Sequence, residues 1–223
     1  MSRNLLILGK SGCGKSSSIK TLDPKSTFLI NVIGKDLPFK GATKSYSEIV
    51  EGKGNKFTTD DYLKIDKTLT YIDAQRKDIK NIIIDDSQYL IVNEFMKRHS
   101  TSGKGNAIFT LYNELADNFW KLIFNSKLLR NDLTIVFLHH SETTETGETK
   151  AKLIGKMLDE KVEICGMFTI VLNAIKDEAG YWFETNTLGN SPVKSPEGMF
   201  AEKKISNDLN LTINTINKYY EGE

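Results

Sequence analysis

Asn4-Leu5-Leu6-Ile7-Leu8-Gly9-Lys10-Ser11-Gly12-Cys13-Gly14-Lys15-Ser16-Ser17-Ser18-Ile19 decides how this chain is read: an apolar run enters G-x-x-x-x-G-K-S and leaves into a helix-permissive segment. Strand, glycine loop and helix in that order are the setting a phosphate-binding loop requires. Glycines allow backbone angles and close approaches that a Cβ forbids. Main-chain N–H groups of the stretch Gly9, Lys10, Ser11, Gly12, Cys13, Gly14, Lys15, Ser16 and Ser17 can therefore converge on phosphate oxygens. Lys15 is expected to reach the β- and γ-phosphates and Ser16 to offer its hydroxyl to Mg2+, with the dipole of the following helix adding favourable potential.

Around this stretch the chain is unremarkable in bulk. Its 223 residues suit a single domain over 1–223, with a core to 175 and a C-terminal hairpin, loop and helix over 176–223. Hydrophobic residues at 39% and charged residues at 26% are ordinary for a globular protein, and no apolar run is long enough to span a bilayer. The N-terminus enters the first strand at once, leaving no room for a secretion signal, so a reducing, cytoplasmic setting is expected. The two cysteines, Cys13 and Cys165, fit neither a disulfide framework nor a zinc pattern. A net charge of +1 means that any nucleic-acid contact must come from a local patch or from assembly.

Strands are expected at Thr27–Ile33, Asn81–Ser87, Leu133–Leu138, Phe168–Asn173 and Tyr181–Thr185, the last two joined as a hairpin. Helices are expected from an Asp60 cap through Tyr62, Leu63, Ile65, Leu69 and Ile72, from Tyr89 to Lys97, and from Thr110 to Leu129, whose aromatics read as core. A last helix starts at a cap on Asn207 or Asp208 and runs through Tyr220. Two segments read as polar connections, Gly41–Thr59 and 141–156, the second carrying Lys150, Lys152 and Lys156. The fold class is α/β, a mostly parallel sheet flanked by helices.

Candidate chemistry collects at strand ends. Asn81-Ile82-Ile83-Ile84-Asp85-Asp86-Ser87 is an apolar run ending in two carboxylates, the Walker B pattern. Asp85 would hold Mg2+ through water, and Asp86 either activates the attacking water or merely caps the next helix. The strand at 133–138 delivers His139-His140, either a γ-phosphate sensor or a hydrogen-bonded strand end. Lys35-Asp36-Leu37-Pro38-Phe39 lies where a parallel strand places a site wall.

Taken together, Gly9–Ser16, Lys35–Phe39, Ile82–Ser87, Phe137–Glu142 and Gly155–Val162 resemble the phage-type RecA-like ATPases, short AAA-family ATP-binding proteins similar to single-strand-annealing recombinases. The resemblance implies a RecA-like sheet in which the sensor strand lies between the P-loop and Walker B strands, with His140 or His139 sensing the γ-phosphate. It implies ATP and Mg2+ as ligands, a single-stranded DNA partner approached by the 141–156 loop, and a filament or ring. A single-strand-binding protein is expected as a further partner. It also implies a lysine that reaches a neighbouring subunit's nucleotide, for which Lys194 and Lys156 are the best matches. Family members place a catalytic glutamate after the second strand, where this chain has Val32-Ile33-Gly34, so Asp36 or Asp86 takes the base role or hydrolysis is slow. The expected activity is a DNA-stimulated ATPase in phage recombination or replication. The alternatives are a nucleotide-dependent switch with little hydrolysis, acting on a protein partner, and a small-molecule kinase. The kinase suffers from its arginines, which stand scattered at Arg3, Arg76, Arg98 and Arg130.

Overall fold

The structure is a computed structural model that describes residues 1–103, 105–154, 163–187, 189 and 191–222. Eight strands form one sheet in the order β10-β9-β8-β1-β5-β4-β2-β3. They are β1 (Arg3–Leu8), β2 (Thr27–Asn31), β3 (Lys56–Thr58), β4 (Asn81–Asp85), β5 (Thr134–Leu138), β8 (Ile170–Asp177), β9 (Gly180–Glu184) and β10 (Lys204–Ser206). Strands β3, β2, β4, β5, β1 and β8 run parallel, and β9 and β10 add an antiparallel edge. The fold is α/β, and β5 lies between β1 and β4.

The apolar runs explain this sheet. A parallel strand covered on both faces has no polar side, so β1, β4 and β5 are near-continuous Leu, Ile and Val. Leu6, Leu8, Ile82, Ile84, Ile135 and Phe137 join one core with α2 (Tyr62–Gln75), α3 (Gln88–Arg98) and α4 (Asn106–Lys127). Leu5, Ile7, Ile83, Val136 and Leu138 face the opposite core, completed by Ile19 and by Leu209, Ile213 and Ile216 of α5 (Leu209–Glu221). Asp208 caps α5 by accepting from Leu211 N.

Several expectations are corrected. The segment behind the P-loop is a six-residue 3-10 helix, Ser16–Thr21, so its dipole adds less than a full helix would. Local chemistry accounts for it: Ser18 Oγ donates to Lys15 O at 2.6 Å and Thr21 Oγ1 to Ser18 O at 2.9 Å, tightening each turn before Asp23-Pro24 stops it. The cap of α2 is Asp61, which accepts from Leu63 N and Lys64 N, because Asp60 is taken by Lys97 and Asn93 of α3. Within 41–59 the chain forms α1 (Ala42–Ser45) and the edge strand β3, too short to carry a pattern. Of the α4 aromatics, Phe119 is core, whereas Trp120 and Phe124 stack on each other at the surface. The 141–156 segment opens as a β-hairpin, β6 (Ser141–Thr143) and β7 (Thr149–Ala151), with Ala151 buried. No helix among the described residues is long and apolar enough to cross a membrane.

Candidate nucleotide site

The carboxyl ends of β1, β4, β5 and β2 open into a cleft of about 400 Å³. It is lined by loop residues Ser11, Gly12, Gly14, Lys15, Ser16 and Ser17, and by Lys35, Asp36, Pro38, Asp86, His140 and Tyr181. Crevices at this end of a parallel sheet are where α/β proteins bind ligands. Two glycines make the loop possible. A Cβ at Gly9 would stand 2.5 Å from Cys13 Sγ and 2.8 Å from Ala174 O, and one at Gly14, whose φ is +97°, would meet the Tyr181 ring at 2.7 Å. Cys13 is buried, its side chain packed under the loop, so only its main chain can serve a phosphate.

Lys15 is buried and turns back on its own loop, donating from Nζ to Gly9 O at 2.6 Å and Lys10 O at 3.0 Å. Burial lowers its pKa, so the ammonium sits where an anion would be welcome. Ser16 Oγ donates to Asp85 Oδ1 at 2.8 Å. The loop and the Walker B strand thus meet through the two oxygens that the sequence assigns to Mg2+. Burial first, and then the Asp86 charge, push the Asp85 carboxyl up to about 6. So desolvated a carboxylate favours a cation beside it. Among the described residues no group of three or more His, Cys, Asp or Glu is placed to hold a metal ion. Two hard oxygens beside a phosphate loop suit Mg2+, which takes few protein ligands and completes its shell with water and substrate phosphates.

Asp86 follows with φ +61°, a left-handed backbone that Asp tolerates better than most residues. Its side chain is 2% exposed, with Oδ1 at 3.2 Å from His140 Nε2 and Oδ2 at 2.5 Å from Lys35 Nζ. Burial alone would raise its pKa, but the His140 and Lys35 contacts outweigh that and hold it below the usual carboxylate range. Asp86 is therefore a cleft residue. Ser87, expected inside the acid-tipped strand, precedes α3 and makes no side-chain cap there.

The adjacent histidines separate. His140 lies edge-on to Tyr89, and its main-chain N–H donates to Gln88 Oε1 at 3.1 Å. His139 is fully buried against Phe119, its ring between Ser87 Oγ and Lys152 O, each at 2.9 Å, and burial lowers its pKa to about 3. Of the two sensor candidates only His140 reaches the cleft. Lys152 N also donates to His140 O at 2.8 Å, so the β6–β7 hairpin is fastened to both histidines.

The remaining candidates lie apart. Lys150 pairs with Glu142 across the hairpin at 3.1 Å, Lys152 is exposed, and Lys156 lies outside the described residues with the rest of 155–162. Lys194 bridges Val171 through its main chain, at 2.8 and 2.9 Å, and its exposed side chain does not line its own chain's cleft. Lys35 was legible only as part of a wall segment and Tyr181 not at all, because neither pairing leaves a local signal in the chain.

A glycine loop ending in Lys-Ser, an acid-tipped strand touching that Ser, and a polar residue on the strand between them define a P-loop nucleotide-binding protein of the ATPase type. The family model described as AAA domain matches residues 1–197, and the chain belongs to that family. No curated protein matches the chain.

Proposed function

We propose that the chain binds MgATP, hydrolyses it, and uses the cycle on single-stranded DNA as a multimer, as its likeness to phage-type RecA-like ATPases suggests. The observation that carries the nucleotide part is the Ser16–Asp85 contact at the mouth of a loop that already holds Lys15. Ser16 and Asp85 would hold Mg2+, which when bound would supply positive charge to offset that developing on the phosphates. Lys15 exchanges its loop carbonyls for phosphate oxygens. A water oxygen then bonds to the γ-phosphorus as the bond from that phosphorus to the β–γ bridging oxygen breaks. ADP leaves and the water's proton passes to Asp86, which His140 keeps aimed.

The DNA part is supported by connectivity. A change at His140 would pass through the Lys152 N–H bond to His140 O, with the His139 ring also on Lys152 O, to the hairpin bearing Lys150, with Lys156 further along the chain. A nearly neutral chain gains a strong polyanion site by lining up copies of one loop along a strand, which also gives Lys194 a neighbouring nucleotide to reach. A second reading, a nucleotide-dependent switch acting on a protein, is favoured by Glu142, Glu145 and Glu148, which outnumber the lysines over 141–152. ATPase rate and light scattering, measured with and without single-stranded DNA and a non-hydrolysable analogue, separate the two. DNA-stimulated turnover with multimers supports the first, and a monomer with unstimulated turnover supports the switch. Lys15→Ala should abolish turnover, and unchanged affinity and turnover in that variant would remove the nucleotide assignment.

A further inference from the structure

We propose that Lys35 is a positioning residue that holds Asp86 out of action until a nucleoside triphosphate draws its ammonium away. The inference rests on the ATPase reading and adds to it a means of telling triphosphate from diphosphate.

The ion pair is lopsided. Asp86 is fixed: its side chain is 2% exposed, it starts from a left-handed backbone, and His140 holds its other oxygen. Lys35 is 48% exposed on a long flexible stem. If one partner moves, it is the lysine, since a buried carboxylate leaving both Lys35 and His140 would carry its desolvation cost with it. The loop that presents Lys35 is built for this position. Asn31, at the end of β2 and in register with Asp85, accepts from Gly34 N at 3.0 Å and donates to Lys35 O at 2.8 Å, turning the chain back over the cleft. Lys35 lines the same cleft as Lys15 and Ser16, so a γ-phosphate seated there is a second anion within the reach of its stem. While the ammonium sits 2.5 Å from Oδ2, it fills the side of that oxygen which the water to be activated would approach. Once it turns to the γ-phosphate, Oδ2 is released beside the water to be activated, with His140 still on Oδ1. A diphosphate offers no such competitor.

Calorimetry with ADP and with a non-hydrolysable ATP analogue tests this on the full chain, using Lys35→Met, Asp86→Asn and the double variant. A charge-assisted hydrogen bond corresponds to about tenfold in affinity. Lys35→Met should lower the preference for the triphosphate analogue over ADP about tenfold, leaving ADP affinity within about twofold. Asp86→Asn should free the lysine and tighten analogue binding about tenfold, and this gain should vanish in the double variant. A gain that persists in the double variant reflects mere removal of negative charge and overturns the proposal. So does an equal fall in both affinities with Lys35→Met, or an unchanged ratio. A wild-type chain that binds neither nucleotide overturns the ATPase reading as well, whereas normal binding with an unchanged ratio overturns this inference alone.

Discussion

The ends of β4 and β5 each carry two identical residues side by side, Asp85-Asp86 and His139-His140, and in each pair the members face different surroundings. Asp85 is held by Ser16 under the phosphate loop, whereas Asp86 turns through a left-handed φ to meet Lys35 and His140 in the cleft. His139 is a neutral strut between Ser87 and Lys152, while His140 shares the cleft with Asp86. The lesson is that a residue type supplies only a capacity. Burial and partners decide whether a carboxylate binds a cation or takes a proton, and whether an imidazole serves the fold or the site.

The comparison breaks most severely at Asp86. Asp86→Asn should bind MgATP yet lose turnover by about 10²–10⁴-fold in a phosphate-release assay. Normal turnover there, with the loss appearing in Asp36→Asn instead, would move the proton acceptor to the exposed acid of the 35–39 segment. Asp85→Asn should act on the ion: the tightening of nucleotide binding by Mg2+ should weaken about 10–100-fold, as titration calorimetry at varied Mg2+ would show. An unchanged Mg2+ dependence would end the division of labour between the two acids.

His139→Leu should cost about 1–3 kcal/mol in denaturant melts, because Ser87 Oγ and Lys152 O lose a buried partner. The same position gives a pH signature. Its pKa of about 3 in the fold lies below the ordinary 6.5, so the unfolded chain binds the proton more readily. Wild-type stability from this group is present above about pH 6.5 and is lost as pH falls toward 3, and that slope should flatten in His139→Leu. The smallest effect is expected at His140. His140→Ala should slow turnover about tenfold while costing about 1 kcal/mol or less, since Lys35 still pairs with Asp86 when the ring is gone. Equal loss of stability in both histidine variants would erase the distinction.

What the chain alone determined was the loop, the longer apolar strands and the polar residues at their ends. Gly9 to Ser16, the apolar runs at 4–8, 81–84 and 133–138, and the acids and histidines at their ends are local patterns, carried by period and spacing. Even the placing of β5 between β1 and β4 agreed with what the P-loop resemblance implied. Short elements escaped because three or four residues of β3, β6 or α1 leave no period to read. The 3-10 form behind the loop escaped because serine and threonine hydroxyls, rather than the apolar pattern, set its pitch. Only the tertiary structure decided which member of each pair faces the cleft, that Lys35 closes on Asp86, and that Tyr181 stands against Gly14. Each of these depends on the direction of a side chain at a strand end and on a partner from a distant segment. Desolvation and pairing act through space, so the order of residues along the chain does not record them.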